Sequence, residues 1–222
     1  MINLKQLFVM STLAFLAATA SSASTVVVNG SFEDLGGQSL NSSGWNHFSS
    51  IPSWTGQPNV EVQSNATLSG IDAQDGVSYV ELETNQQAGI SQDIFLEAGA
   101  YSLSFFYSPR IDEQQTTTND MSFSIDGLLS GYVIGAPNPD FQWGEWTEVT
   151  STFLVADGGY YTLSFNAFDS SSYIDCPNCG ALIDNVRISV VPLPASALLL
   201  LLGLSGLGAI RKRRLIPSIA PS

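Results

Sequence analysis

Basic side chains are what this sequence has least of: 7 Lys and Arg stand against 20 Asp and Glu in 222 residues. Most of those bases lie in the end segments, Lys5 at the front and Arg211, Lys212, Arg213 and Arg214 at the back. Between Ser24 and Pro192, Arg110 and Arg187 alone face all 20 acids. A body of that charge repels phosphate backbones and anionic headgroups, which excludes nucleic-acid binding and leaves neutral ligands or divalent cations. Histidine occurs once, His47 after Trp45-Asn46 in a predicted loop, and there is no G-x-S-x-G elbow, so Ser-His chemistry has no framework. Glu81 and Glu83 share a strand face and line a single wall, whereas a glycosidase needs carboxyls on both sides of its bond; they are expected to be a solvated face. The sequence therefore predicts a protein that is not an enzyme.

Cysteine is nearly as scarce. Cys176 and Cys179, in Cys176-Pro177-Asn178-Cys179, are too few for a disulfide scaffold and lack the further ligands of a zinc site. In an exported protein such a pair most simply forms a local disulfide, stiffening the loop before the last strand.

Export is what the front predicts. Lys5, an apolar run over 7–20 and the small residues Ser21-Ser22-Ala23 read as a signal peptide over 1–23. At the other end, 195–210 carries no charge and is followed by the basic cluster Arg211, Lys212, Arg213 and Arg214. As a helix it spans roughly 24 Å, a little short of a ~30 Å hydrocarbon core but workable with snorkelling flanks. The bases hold the cytoplasmic side, so the body is expected outside the inner membrane, facing the periplasm before processing. Val191-Pro192-Leu193-Pro194, the helix and the bases in that order resemble the PEP-CTERM sorting signal of exopolysaccharide-producing bacteria, with Leu193 where the usual motif has Glu. That resemblance implies processing by an exosortase-type protease and delivery to the cell surface or extracellular matrix. Eight residues, 215–222, trail the cluster.

The body, 24–190, is long enough for one core. Alternation is strongest in 100–108, with Tyr101, Leu103, Phe105 and Tyr107 on one face, and in 159–168, with Tyr161, Leu163, Phe165 and Ala167. Shorter runs occupy 25–28, 59–63, 78–83, 89–95, 121–126, 132–134, 146–155 and 181–190, separated by turn signals such as Asp75-Gly76, Asp126-Gly127 and Asp157-Gly158-Gly159. Many short strands and no helix predict an all-β, antiparallel two-sheet sandwich, a jelly roll in topology.

Asn29-Gly30-Ser31-Phe32-Glu33, Ile51-Pro52-Ser53-Trp54-Thr55, Asp75-Gly76 before Tyr79-Val80-Glu81-Leu82, Gly89-Ile90-Ser91-Gln92 and Ile183-Asp184-Asn185-Val186 together resemble the galactose-binding-like sandwich of several carbohydrate-binding modules and a related cell-wall-associated domain family. The resemblance covers nearly the whole body and implies that fold, with exopolysaccharide as a candidate ligand.

Two sites are expected. By parity Asp184 falls on the inward face with Leu182, Val186 and Ile188. A buried carboxylate needs a partner, either a calcium ion or backbone N–H groups. The resemblance implies a structural calcium between the first and last strands, held by Glu33 and Asp184. For stacking on a sugar ring, Trp143 and Phe141, in a long Pro- and Gly-rich loop, and Tyr173 are the expected aromatics, while Trp54 and Trp146 border strands and are expected in the core.

Overall fold

The computed structural model describes residues 26–65, 67–68, 70–82, 88–110, 119–135, 144–167 and 180–192. Ten strands form in chain order: β1 (Trp45–Ile51), β2 (Trp54–Ser64), β3 (Ser78–Glu81), β4 (Gly89–Leu96), β5 (Gly99–Pro109), β6 (Met121–Ile125), β7 (Leu129–Val133), β8 (Thr147–Val155), β9 (Gly159–Ala167) and β10 (Ala181–Val190). Every pairing is antiparallel, as expected of hairpin-connected strands with one face on a core.

The strand order β7-β6-β9-β4-β2-β3-β10-β5-β8, with β1 on β2, folds into two layers because β2 belongs to both. Its first residues pair with β4 (Thr55 opposite Ser91), and its last with β3 (Glu61 opposite Glu81). The change of layer falls between Gln57, still opposite Gly89 of β4, and Glu61; Gly56 stands just before this bend, and a Cβ on it would lie 2.2 Å from the Asn59 carbonyl carbon, so only glycine fits there. Layer A is β7-β6-β9-β4 with the start of β2; layer B is the end of β2 with β3, β10, β5 and β8, and β1 lies along β2.

The alternating residues of the two layers meet face to face. Phe105 of β5 sits edge-on to Phe123 and Phe165 of β6 and β9, with ring centroids 5.2 and 5.0 Å apart. Trp54 closes one end between Phe32 and Phe165. Val60, Val62, Val80, Leu103, Tyr107, Ile183 and Ile188 complete layer B's share of one buried cluster. The sandwich expected from alternation is thus what forms.

Three expectations differ in detail. Residues 26–28 form no strand; Val26 donates one backbone bond to Ile188. The segment holding His47 is a strand, not a loop, because Asn46, His47 and Phe48 find register partners in Val62, Glu61 and Val60. The third concerns Asp184. A bulge between Asp184 and Arg187, with Asn185 at φ +52°, inserts residues opposite β5 and resets the parity of β10. Ile183, Val186 and Ile188 face the core, while Leu182 and Asp184 face the opposite side of layer B. Asp184 is buried there, not between the sheets.

Candidate functional site

The outer face of layer B gathers the chain's scarce ionisable groups into one line. On adjacent strands, cross-strand partners place side chains about 5 Å apart. His47 is opposite Glu61, Glu61 opposite Glu81, and Gln63 opposite Tyr79. His47 Nε2 lies 2.7 Å from Glu61 Oε2. The Gln63 amide donates through Nε2 to Glu61 Oε1 at 2.7 Å and to Glu81 Oε2. Arg110, just past the end of β5, donates to Glu81 Oε1 at 2.6 Å, and the Gly180 N–H reaches the same oxygen at 3.1 Å. The result is a continuous ladder, His47–Glu61–Gln63–Glu81–Arg110, across β1, β2 and β3. Trp45 stands at its open end, its ring edge-on to His47 at 5.3 Å.

Burial is deepest in the middle of the line and shallower at both ends. Trp45, His47 and Arg110 are half-buried, Glu61 and Gln63 are buried, and Glu81 is 1% exposed. Burial pushes the Glu81 carboxyl from its ordinary 4.5 up to about 8, against the pull of the Arg110 guanidinium and with a further push from Glu61. The Tyr79 hydroxyl is raised as well, first by burial and then by the Glu81 charge. Holding Gln63 Nε2 between two carboxylates leaves its carbonyl Oε1 buried with no partner. The neighbouring Tyr79 hydroxyl faces the Leu68 backbone without a well-formed hydrogen bond. Beyond Tyr79 the face turns apolar: Ile71, Tyr79 and Leu182 pack with Trp146, whose Nε1 donates to the Asp72 carbonyl at 2.7 Å.

Glu33 and Asp184 converge on the turn 74–78 from different directions. Glu33 Oε1 accepts the Val77 and Ser78 N–H groups, both at 2.8 Å. Asp184 Oδ2 accepts those of Gln74 and Asp75 at 2.7 and 2.9 Å, and Oδ1 that of Asn185 at 2.6 Å. Gly76, at φ +86°, makes room: a Cβ would lie 2.4 Å from Glu33 Oε1. Burial pushes Asp184 from 3.8 up to about 7, with the N–H donors of Asp75, Asn185 and Gln74 opposing the shift. The residues present do not fit a calcium ion, because the turn directs donors at the oxygens a cation would need. Among the described residues no group of three or more His, Cys, Asp or Glu side chains could hold a metal. The backbone reading of Asp184 is the one this geometry supports.

The N-G-S-F-E motif is the counterpart of that turn. Asn29 Nδ2 donates to the carbonyls of Asp34 and Pro52, and its own carbonyl accepts Trp54 Nε1 at 2.9 Å. Gly30 accepts Val186 N–H at 2.9 Å, so closely that a Cβ on Gly30 would lie 2.1 Å from the Val186 oxygen.

Of the other sequence-predicted positions, Trp143, Phe141, Tyr173, Cys176, Cys179, Leu193, Pro194 and Arg211, Lys212, Arg213 and Arg214 lie outside the described residues, as do 1–25 and the apolar run 195–210. Val191 and Pro192 are exposed, with Val191 N–H on the Ala100 carbonyl at 2.8 Å. Trp54 is buried in the core, whereas Trp146, just before β8, is half-buried and packs on the small outer cluster of Ile71, Tyr79 and Leu182. Glu81 is a correction: register with Glu61 and the reach of Arg110 make it a buried ion-paired group instead of a solvated face. Sequence reasoning missed Trp45 and Arg110. The signal available was alternation: Trp45-x-His47 and Glu61-x-Gln63 each repeat polar or aromatic groups with period 2.

No protein-family model matches the chain, and no curated protein is similar to it. Among solved structures, TmCBM61 in complex with β-1,4-galactotriose is 13% identical with a TM-score of 0.49, covering 76% of this chain and 100% of that one. A CBM4 structure is 16% identical with a TM-score of 0.43, covering 74% and 99%. The CBM22-1 xylan-binding domain of Paenibacillus barcinonensis Xyn10C is 14% identical with a TM-score of 0.41, covering 79% and 100%. With every one of these scores below 0.5, the all-β sandwich is established by the chain's own strand pairing.

Proposed function

We propose that this chain is an exported, non-catalytic protein that binds extracellular polysaccharide, or sits embedded in it, through the outer face of layer B. The observation that carries the reading is the ladder His47–Glu61–Gln63–Glu81–Arg110 with Trp45 at its open end. A pyranose presents C–H groups to an aromatic face and hydroxyls that both donate and accept. Trp45 supplies the first partner; His47 and Arg110, both half-buried, supply the second. The amide fixed between two carboxylates is rigid, so little side-chain entropy is lost on binding.

Retention of the full-length protein on galactan, xylan and other neutral polysaccharide gels tests this. Trp45→Ala is expected to weaken retention about tenfold, equal to ~1.4 kcal/mol, with the melting temperature unchanged. Absence of retention on every gel would sink the reading. Export, sorting by an exosortase-type protease at Val191-Pro192-Leu193-Pro194 and membrane retention through 195–214 belong to the same proposal and rest on the sequence of the two ends. Fractionation and intact mass of the native protein test them: a chain ending near Pro194 is the expected product.

A second reading, a structural envelope protein without a small ligand, draws on the mutual pairing of the ladder's charged groups. Under it Trp45→Ala changes stability and leaves retention untouched.

A further inference from the structure

Layer A carries an unexplained surface of its own. Phe95 of β4 and Tyr160 of β9 are register partners whose rings stand edge-on at 5.2 Å, yet they are 47% and 79% exposed. A core-forming aromatic pair would be covered; this one is held rigid by pairing and left open. One step along the same two strands, Thr162 donates to Asp93 at 2.8 Å, so the polar and aromatic pairs share one face.

Phe95 also borders a groove of about 500 Å³, a volume within the range of small-ligand sites. Its rim carries the side chains of Val28, Ser50, Ser53, Thr55, Ser91 and Asp93. The wall is fixed in place: Gln92 donates to the Val28 carbonyl at 2.8 Å and accepts the Val28 N–H at 2.9 Å, clamping Val28 to β4. Hydroxyls are the main polar groups of a half-apolar lining, one carboxylate is present, and no Lys, Arg or His lines the groove. Such a lining offers an anion nothing and a hydrophobic peptide little. Its complement is a neutral, polyhydroxylated chain whose sugar rings lie on Phe95 and Tyr160 while neighbouring hydroxyls exchange hydrogen bonds with the serines and Asp93.

We propose that this groove and the Phe95–Tyr160 pair form a second glycan-contact surface, distinct from the layer B ladder. It rests on the polysaccharide-binding reading for its ligand class but not for its residues. Two distinct surfaces would let one molecule bridge two polysaccharide chains.

Affinity electrophoresis of the full-length protein in neutral galactan and xylan gels tests it, comparing Phe95→Ala/Tyr160→Ala with Trp45→Ala. Both aromatics are exposed, so the double variant is expected to keep its melting temperature while its retardation falls about tenfold. Loss in the Phe95/Tyr160 variant with retention in Trp45→Ala would keep this surface and remove the ladder as a site. The reverse pattern would overturn the second surface and leave the proposed function standing; no retardation of wild-type protein would overturn both. A changed oligomeric state in the double variant with unchanged retardation would assign the face to protein contact and also overturn it.

Discussion

At the scale of single residues, one glycine and one buried acid carry direct predictions. Gly30 has no room for a methyl group because the Val186 carbonyl occupies the space. Gly30→Ala must push the first turn away from β10, breaking the Val186 bond and disturbing the Asn29 contacts that seat Trp54. A cost of about 2–3 kcal/mol is expected, a melting temperature lower by about 5–10 °C in a domain of this size. Glu81 sets the pH response together with Asp184. Both carboxyls are raised in the folded state, to about 8 and about 7. The fold therefore holds protons that the unfolded chain releases, so stability from these groups is full below about pH 4 and is lost as pH rises through 7 and 8. Thermal melts from pH 4.5 to 8.5 should show a falling midpoint, and Glu81→Gln should make that fall shallower; an equally steep fall would show that Glu81 is not its source.

At the scale of elements, β10 shows what a sequence pattern can and cannot carry. Its apolar residues are legible as a strand, and so are the alternating faces of β5 and β9. The bulge is not, because nothing in Ile183-Asp184-Asn185-Val186 fixes how many residues will face β5; Asn185, tolerant of a left-handed backbone, is the only hint. One inserted position moved Asp184 to the other side of the sheet. The ladder was hidden for a related reason: its members come from β1, β2, β3 and the end of β5, and only register brings them together. The turn 74–78 yields a prediction of its own. Since its donors already saturate Glu33 Oε1 and Asp184 Oδ2, treating the protein with a divalent-ion chelator should leave the melting temperature unchanged. A drop of several degrees would restore calcium to that turn.

At the scale of the whole molecule, charge distribution governs how it meets a matrix. Arg110 is paired with Glu81 and Arg187 lies 3.4 Å from Asp75, so neither forms part of a basic patch. Attachment to a neutral polysaccharide is therefore expected to change less than twofold between 50 and 500 mM salt in retention assays. A steep decline would mean that counterion release drives it. The fold class was open to inference from composition and alternation. The placement of the two faces was not, because it depends on β2 changing layers between Gln57 and Glu61.

The antiparallel run of β10 fixes a direction as well as a sheet. Leu182 adjoins Glu81 at one end of the strand, whereas Val190 and Val191 leave the sandwich at the other, beside Tyr101 and Ala100. Eight residue steps at about 3.3 Å each put roughly 25 Å between them. The chain after Pro192 therefore departs from the end of layer B remote from Arg110 and the buried Glu81.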